Sequence, residues 1–136
     1  MHIDLPNVRH MRVFVEAART GSVSKAAELC HLSQPAATQA ISRLEADLNA
    51  TLLIRRRKQF SLTPSGTAFE RRAKTALHHI NVGAKTALKA TDGANGQRRP
   101  PFDRLVTAVQ LRNLIAIANT GSFTVAARDL GLSQPS

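Results

Sequence analysis

The stretch Thr20–Pro35, TGSVSKAAELCHLSQP, returns one hundred residues later as TGSFTVAARDLGLSQP at Thr120–Pro135. No gap is needed. Positions 11–36 and 111–136 share eleven of twenty-six residues: Arg12, Ala18, Thr20, Gly21, Ser22, Ala26, Ala27, Leu32, Ser33, Gln34 and Pro35. An ungapped match this dense indicates a duplicated structural unit, not turn chemistry that arose twice. A chain of 136 residues has room for one compact domain or two very small ones.

The segment before the repeat, VRHMRVFVEAAR at Val8–Arg19, places Met11, Phe14, Val15 and Ala18 at helical spacing on one apolar face. Gly21 can take the left-handed conformation that closes a helix, and Ser22 or Ser24 can cap a second, short helix through Cys30. Ala26 and Ala27 on that helix allow a neighbour to approach closely. A tight turn at His31-Leu32 leads to Ser33, an N-cap for a third helix with Pro35 in its first turn. Ala37, Ile41, Leu44 and Leu48 form its buried stripe, and Asn49 ends it. Its other side carries Pro35, Thr38, Gln39, Ser42 and, at the edge, Arg43.

Two short β-like runs, Leu52–Ile54 and Phe60–Leu62, then flank a cationic tip, Arg55, Arg56, Arg57 and Lys58. Thr63-Pro64 restarts a helix. From there to about Ala90, Phe69, Ala73, Ala76, Leu77, Ile80, Ala84, Ala87 and Leu88 trace one apolar stripe. A long helix with such a stripe needs a partner, most simply its own copy in a dimer. Asp92–Pro101, DGANGQRRPP, reads as a linker, after which Leu111, Leu114, Ile115 and Ala118 repeat the first helix.

The charge balance points the same way. Lys and Arg number 19 against 9 Asp and Glu, a formal net charge of +10, so a polyanion is the expected partner. No apolar run is long enough to span a bilayer, and the N-terminus lacks the apolar core of a secretory signal, so a soluble intracellular protein is expected. The single cysteine, Cys30, permits no intrachain disulfide and reads as a small buried hydrophobe, since it aligns with Leu130. The five histidines form no Cys/His set at zinc spacing. No Gly-rich phosphate loop and no nucleophile–base pair stands out; neither an enzyme nor a cofactor is expected.

Three short helices followed by a basic hairpin describe a winged helix-turn-helix, a mainly all-α fold with a small β-hairpin wing and here a long C-terminal dimerisation helix. The ordered residues Phe14, Gly21-Ser22, Ala26-Ala27, Leu32-Ser33-Gln34-Pro35-Ala36, Ile41, Leu44-Glu45, Leu48, Leu52, Arg55, Leu62-Thr63 and Gly66 resemble the DNA-binding half of LysR-type transcriptional regulators. That resemblance implies a third helix entering the major groove by its N-terminal end and a wing reaching the flanking backbone or minor groove. It makes Ser33, Gln34, Pro35, Ala36, Thr38 and Gln39 groove-facing candidates, places Ser42 and Arg43 nearer phosphate, and makes Arg55 the wing arginine, with Arg56, Arg57 and Lys58 beside it. Amide and hydroxyl groups can read base edges, while guanidinium groups fix register on phosphates. The chain carries Thr38-Gln39 where the family usually has Ser-Arg, and Asn49 where it usually has Gly.

The expected organisation is a winged helix-turn-helix at 1–63, a linker and dimerisation helix at 64–91, a flexible linker at 92–101 and a partial second helix-turn-helix at 102–136. The resemblance implies a bacterial, cytoplasmic and nucleoid-associated regulator that binds double-stranded DNA as a homodimer or higher homo-oligomer, without contact to a membrane. The family continues from its linker helix into a domain that binds a small-molecule inducer. Here a second helix-turn-helix begins instead, so no inducer site is expected within this chain. Two other readings stay open. One is a truncated interaction module that pairs with full-length relatives through the linker helix; the other is a DNA-binding accessory part of a recombinase or transposase. The second copy, lacking equivalents of Ile41, Leu44 and the wing, is expected to pack against a neighbour or remain partly disordered.

Overall fold

In the computed structural model, residues 5–57, 59–91 and 102–132 are described. They form α1 (Val8–Thr20), α2 (Val23–Leu29), α3 (Gln34–Leu48), β1 (Leu53–Arg56), β2 (Gln59–Leu62), α4 (Pro64–Thr91), α5 (Phe102–Leu105), α6 (Ala108–Thr120) and α7 (Phe123–Asp129). The proposed linker at 92–101, Lys58 and the second SQPS at 133–136 lie outside the described residues.

The repeated TGS is a hydrogen-bonded corner. Gly21 sits at φ 68° and gives its N–H to the Ala17 carbonyl, closing α1. The Thr20 hydroxyl lies 2.7 Å from the Glu16 carbonyl oxygen and 3.0 Å from that of Ser22, and accepts the Ser22 N–H. Ser22 then caps α2 by accepting from Lys25 N–H at 3.2 Å. The second copy repeats each link. Gly121 has φ 65°, the Thr120 hydroxyl lies 2.8 Å from Ala116 O and 3.0 Å from Ser122 O, and Ser122 accepts from Val125 N–H at 3.3 Å. Two hydroxyl side chains and one left-handed glycine therefore set the angle between two helices in both copies.

The next turn is repeated with one substitution. The N–H groups of residues 30, 31 and 32 bond back to the carbonyls of Ala26, Glu28 and Ala27, and those of residues 130–132 do the same. Position 31 is left-handed, φ 55°, and is a histidine; position 131, φ 67°, is glycine. Only the second copy places at this point the residue that takes the conformation without steric cost.

The core forms where α1 is enclosed by α2, α3 and α4. Its buried side is wider than the i, i+3, i+4, i+7 stripe: Val13 and Ala17 are buried with Met11, Phe14 and Val15, whereas Ala18 is half-buried. Three neighbours on one helix explain the width. Ala26 and Ala27 are buried at the contact with α1, and Ala37, Ala40, Ile41 and Leu44 complete the layer from α3. Phe69 of α4 meets Phe14 with ring centroids 5.7 Å apart and planes tilted by 52°, a favourable aromatic geometry.

The hairpin departs from the sequence expectation in its boundaries. Leu53 pairs with Leu62 and Arg56 with Gln59, so Arg55 and Arg56 belong to β1, and Arg57 is the described residue of the turn. A charged run reads as a loop, yet Ile54, Arg55 and Arg56 are all exposed, and a two-stranded ribbon with a solvated surface accepts such side chains. Arg57 occupies the left-handed region at φ 54° in the place where Asn or Gly is usual.

Thr63 joins hairpin and long helix. Its N–H donates to Leu52 O at 3.0 Å, its hydroxyl donates to Thr51 O at 2.6 Å, and the same oxygen accepts from Gly66 N–H at 2.9 Å. Gly66 is pressed so closely to this strand that a Cβ would overlap the Leu52 carbonyl oxygen. Gly66→Ala should therefore cost about 2 kcal/mol or more, because the obstacle is backbone and cannot rotate away. Urea unfolding would measure it, with an unchanged midpoint as the contrary result.

In the second copy the equivalents of Phe14 and Val13 are Leu114 and Asn113. Phe14 is 0% exposed and Leu114 57%, and α6 contains no buried residue. The local geometry is the same, but among the described residues α6 is not enclosed as α1 is by α2, α3 and α4. Phe14→Ala should cost about 3–5 kcal/mol, while Leu114→Ala should cost under about 1 kcal/mol. Equal losses in urea unfolding would contradict this assignment of the core.

Candidate nucleic-acid interface

The third helix is built to show polar groups at its start. Ser33 caps it by accepting from Ala36 N–H at 3.3 Å, and Pro35 lies in the first turn. With Ala37, Ala40, Ile41 and Leu44 turned inward, Gln34, Pro35, Gln39, Ser42 and Arg43 are exposed, and Ala36 and Thr38 half-buried. Gln34, Pro35, Ala36, Thr38 and Gln39 line one open depression on the surface. Ser33 and Ser42 are partly occupied by the fold itself: Ser33 by its cap and Ser42 by donating to Thr38 O at 3.1 Å.

A second cleft, of about 290 Å³, joins three elements. Gln34 and Thr38 come from α3, Ser22 and Ser24 from the start of α2, and Arg55 and Arg57 from the hairpin. Residues far apart in sequence thus form one surface of hydroxyl, amide and guanidinium groups. Arg56 is exposed but does not line this cleft; neighbours on a strand alternate faces, so Arg55 and Arg56 diverge. Lys58 lies outside the described residues.

Ser24 and Gln59 also line the cleft, and sequence reasoning did not select them. Ser24 was legible as a possible cap, a role that Ser22 takes, which leaves the Ser24 hydroxyl in the cleft. Gln59 follows from the hairpin register: it pairs with Arg56. No motif announces it.

One carboxylate sets the wing against the recognition helix. Glu45 Oε1 on α3 accepts the backbone N–H groups of Leu52 at 2.7 Å and Leu53 at 3.0 Å. Both donors precede or begin β1, so the oxygen satisfies two backbone N–H groups where the strand enters the hairpin. Glu45→Ala should destabilise the fold by about 1.5–3 kcal/mol, the range for hydrogen bonds to a charged acceptor, and Glu45→Gln should recover part of it. Thermal or urea unfolding of the two variants checks the order.

The residues chosen for dimerisation divide into two groups. Phe69, Ala73, Ala76 and Leu77 pack against the chain's own core. Farther along α4, Ile80 and Leu88 are half-buried, Ala84 is buried and Ala87 exposed. The first half of the stripe is thus already used within the chain. Cys30 is half-buried beside the core. Among the described residues no helix is long and apolar enough to cross a membrane, and no group of three or more His, Cys, Asp or Glu could hold a metal.

Comparison with known proteins identifies this arrangement. The family described as bacterial regulatory helix-turn-helix proteins of the lysR family matches residues 8–67 and again 109–136. The chain is 30% identical to the HTH-type transcriptional regulator ClcR of Pseudomonas putida over 121 residues, 86% of this chain and 41% of ClcR. It is 32% identical to the HTH-type transcriptional regulator GalR of Pseudomonas putida over 133 residues, 98% of this chain and 32% of GalR. The chain thus spans well under half the length of these curated relatives. Among solved structures, the BenM DNA-binding domain in complex with catB site 1 DNA superposes with a TM-score of 0.60 at 28% identity, covering 65% of this chain and 98% of that one. The CbnR DNA-binding domain–DNA complex gives 0.56 at 32% identity, covering 61% and 95%. A winged helix-turn-helix, a long helix behind it and a family match that restarts in the second repeat lead to one conclusion: the chain belongs to the LysR family of bacterial regulatory helix-turn-helix proteins.

Proposed function

We propose that this chain is a sequence-specific DNA-binding transcriptional regulator, with α3 in the major groove and the arginine-bearing wing on the flanking backbone or minor groove. The observation that carries the reading is the cleft joining Gln34 and Thr38 of α3 to Arg55 and Arg57 of the hairpin. Base-reading and phosphate-binding chemistry meet on one surface, as direct readout with backbone positioning requires. DNA complexes of the BenM and CbnR domains, which share the fold, support it. So does the net charge of +10.

Gln34, Pro35, Ala36, Thr38 and Gln39 face the bases in this reading, and Ser33, Ser42, Arg43, Arg55, Arg56, Arg57 and Lys58 hold the backbone. Gln39 is the exposed amide best suited to a bidentate contact with adenine. The protein acts as a dimer through α4, with the contact carried by Ile80, Ala87 and Leu88, since Phe69, Ala73, Ala76 and Leu77 serve the internal core and Ala84 is already buried within the chain. The protein works without catalysis, inside the bacterial cell on the nucleoid. The domain boundaries at 63, 91 and 101 separate reader, dimerisation helix, linker and partial second repeat.

Binding should weaken steeply with salt, and Arg55→Ala should reduce the slope of log K against log salt by about 1 while weakening all sequences alike. Gln39→Ala should instead cost about 1–3 kcal/mol of discrimination at one base pair and leave non-specific binding nearly intact. Fluorescence anisotropy with specific and scrambled duplexes over a salt series separates the two. A flat salt dependence, or equal losses on both duplexes for Gln39→Ala, would falsify the docking.

A further inference from the structure

A groove on another side of the domain has no part in that reading. It lies between the outer face of α1, the end of α2 and α5, has a volume of about 620 Å³ and shares no lining residue with the cleft at Arg55. We propose that it binds a small organic anion with an apolar body, such as a medium-chain carboxylate.

Charge is the first argument. Arg9, Arg12, Arg19 and Arg104 line the groove against a single carboxylate, Glu16. Glu16 is engaged by Arg19 at 2.6 Å on the same helix. Among the described residues, Arg9 and Arg104 make no ion pair. An anion entering here meets a surplus of guanidinium groups in a fork geometry suited to carboxylate.

The walls give the second argument. Leu29, Leu32 and Leu105 line the same groove and are 50%, 41% and 48% exposed, with Val13 at its floor. A bare inorganic anion would leave this apolar surface in water. An aliphatic or aromatic chain would cover it, and the volume is that of a small-molecule site.

Asymmetry between the repeats is the third. Arg9, Glu16 and Arg19 correspond to Val109, Ala116 and Asn119, whereas Arg12 is shared as Arg112. Those three charges are therefore separate from the turn chemistry the copies share, and the second helical hairpin forms without them. A nucleic-acid phosphate is a poorer occupant than a carboxylate with a tail, because three exposed leucine side chains offer it nothing.

The chain's only cysteine provides the readout. Cys30 is half-buried and lines the groove. Burial raises its thiol pKa, Glu16 adds to the rise, and the Arg12 and Arg104 guanidinium groups oppose it, which puts both within electrostatic reach of the sulfur. The rate of reaction of Cys30 with N-ethylmaleimide therefore reports occupancy.

Millimolar octanoate should slow labelling of the full chain about threefold when present at twice its dissociation constant. Octanol and sulfate at matched concentration and ionic strength should not slow it. The double variant Arg9→Ala, Arg104→Ala should keep its circular dichroism but lose the octanoate effect, read as the ratio of its own labelling rates without and with octanoate, because loss of the Arg104 guanidinium also changes the basal rate at Cys30. Absence of protection by octanoate overturns the proposal. Equal protection by octanol reduces the groove to an apolar cleft, and equal protection by sulfate reduces it to a diffuse charge effect. Protection by poly-glutamate alone assigns it to an acidic peptide, and protection that survives in the double variant places the carboxylate elsewhere; each of these also overturns it.

Discussion

Close approach of α1 and α2 is the constraint on which the other elements depend. Ala26 and Ala27 have no side chain beyond Cβ, and both are buried against the first helix. The Thr20-Gly21-Ser22 corner fixes the angle at which they meet. Once that pair is set, Ala37, Ile41 and Leu44 of α3 fill the groove beside it, and the opposite side of α3, with Gln34, Gln39, Ser42 and Arg43, is left exposed. A larger residue at 26 or 27 would spread the helices and rotate the exposed face of α3 with them. The placement of that face is thus set by a buried contact between two other helices.

The wing is positioned by a different kind of interaction. Glu45 collects two strand N–H groups, Thr63 bridges strand and helix, and Gly66 lets α4 start against the Leu52 carbonyl. These links are polar and directional where the three-helix core is apolar and close-packed. The arginines of β1 therefore move with the C-terminal end of α3, which keeps their spacing to Gln34 and Thr38 constant.

Much of this was legible in the residues. Helix ends were read from local chemistry, and Gly21, Ser22, Ser33 and Asn49 take the capping roles that their side chains and left-handed tolerance suggest. The candidate site was legible on α3, where helical spacing separates Ala37 and Ile41 from Thr38 and Gln39. It was less legible on the hairpin, because strand register depends on a partner that sequence does not number; Arg55 and Arg56 entered β1, and Gln59 went unnoticed. The apolar stripe of α4 looked uniform from Phe69 to Leu88. Its first half is absorbed by Phe14 and its neighbours, a tertiary fact no periodicity distinguishes from a dimer seam.

The two copies of the TGS corner also hold a comparison that few proteins offer. The same hydrogen bonds occur once beneath a packed core and once on a hairpin whose α6 contains no buried residue. The corner's hydrogen bonds are matched, while the helix that enters it has buried residues in one copy and none in the other. Amide protons at Gly21 and Gly121 therefore belong to identical bonds in unequal surroundings, one opening only with the domain and the other with its own corner. The difference between their exchange rates is the contribution of the surrounding helices to the persistence of a turn, isolated within a single chain.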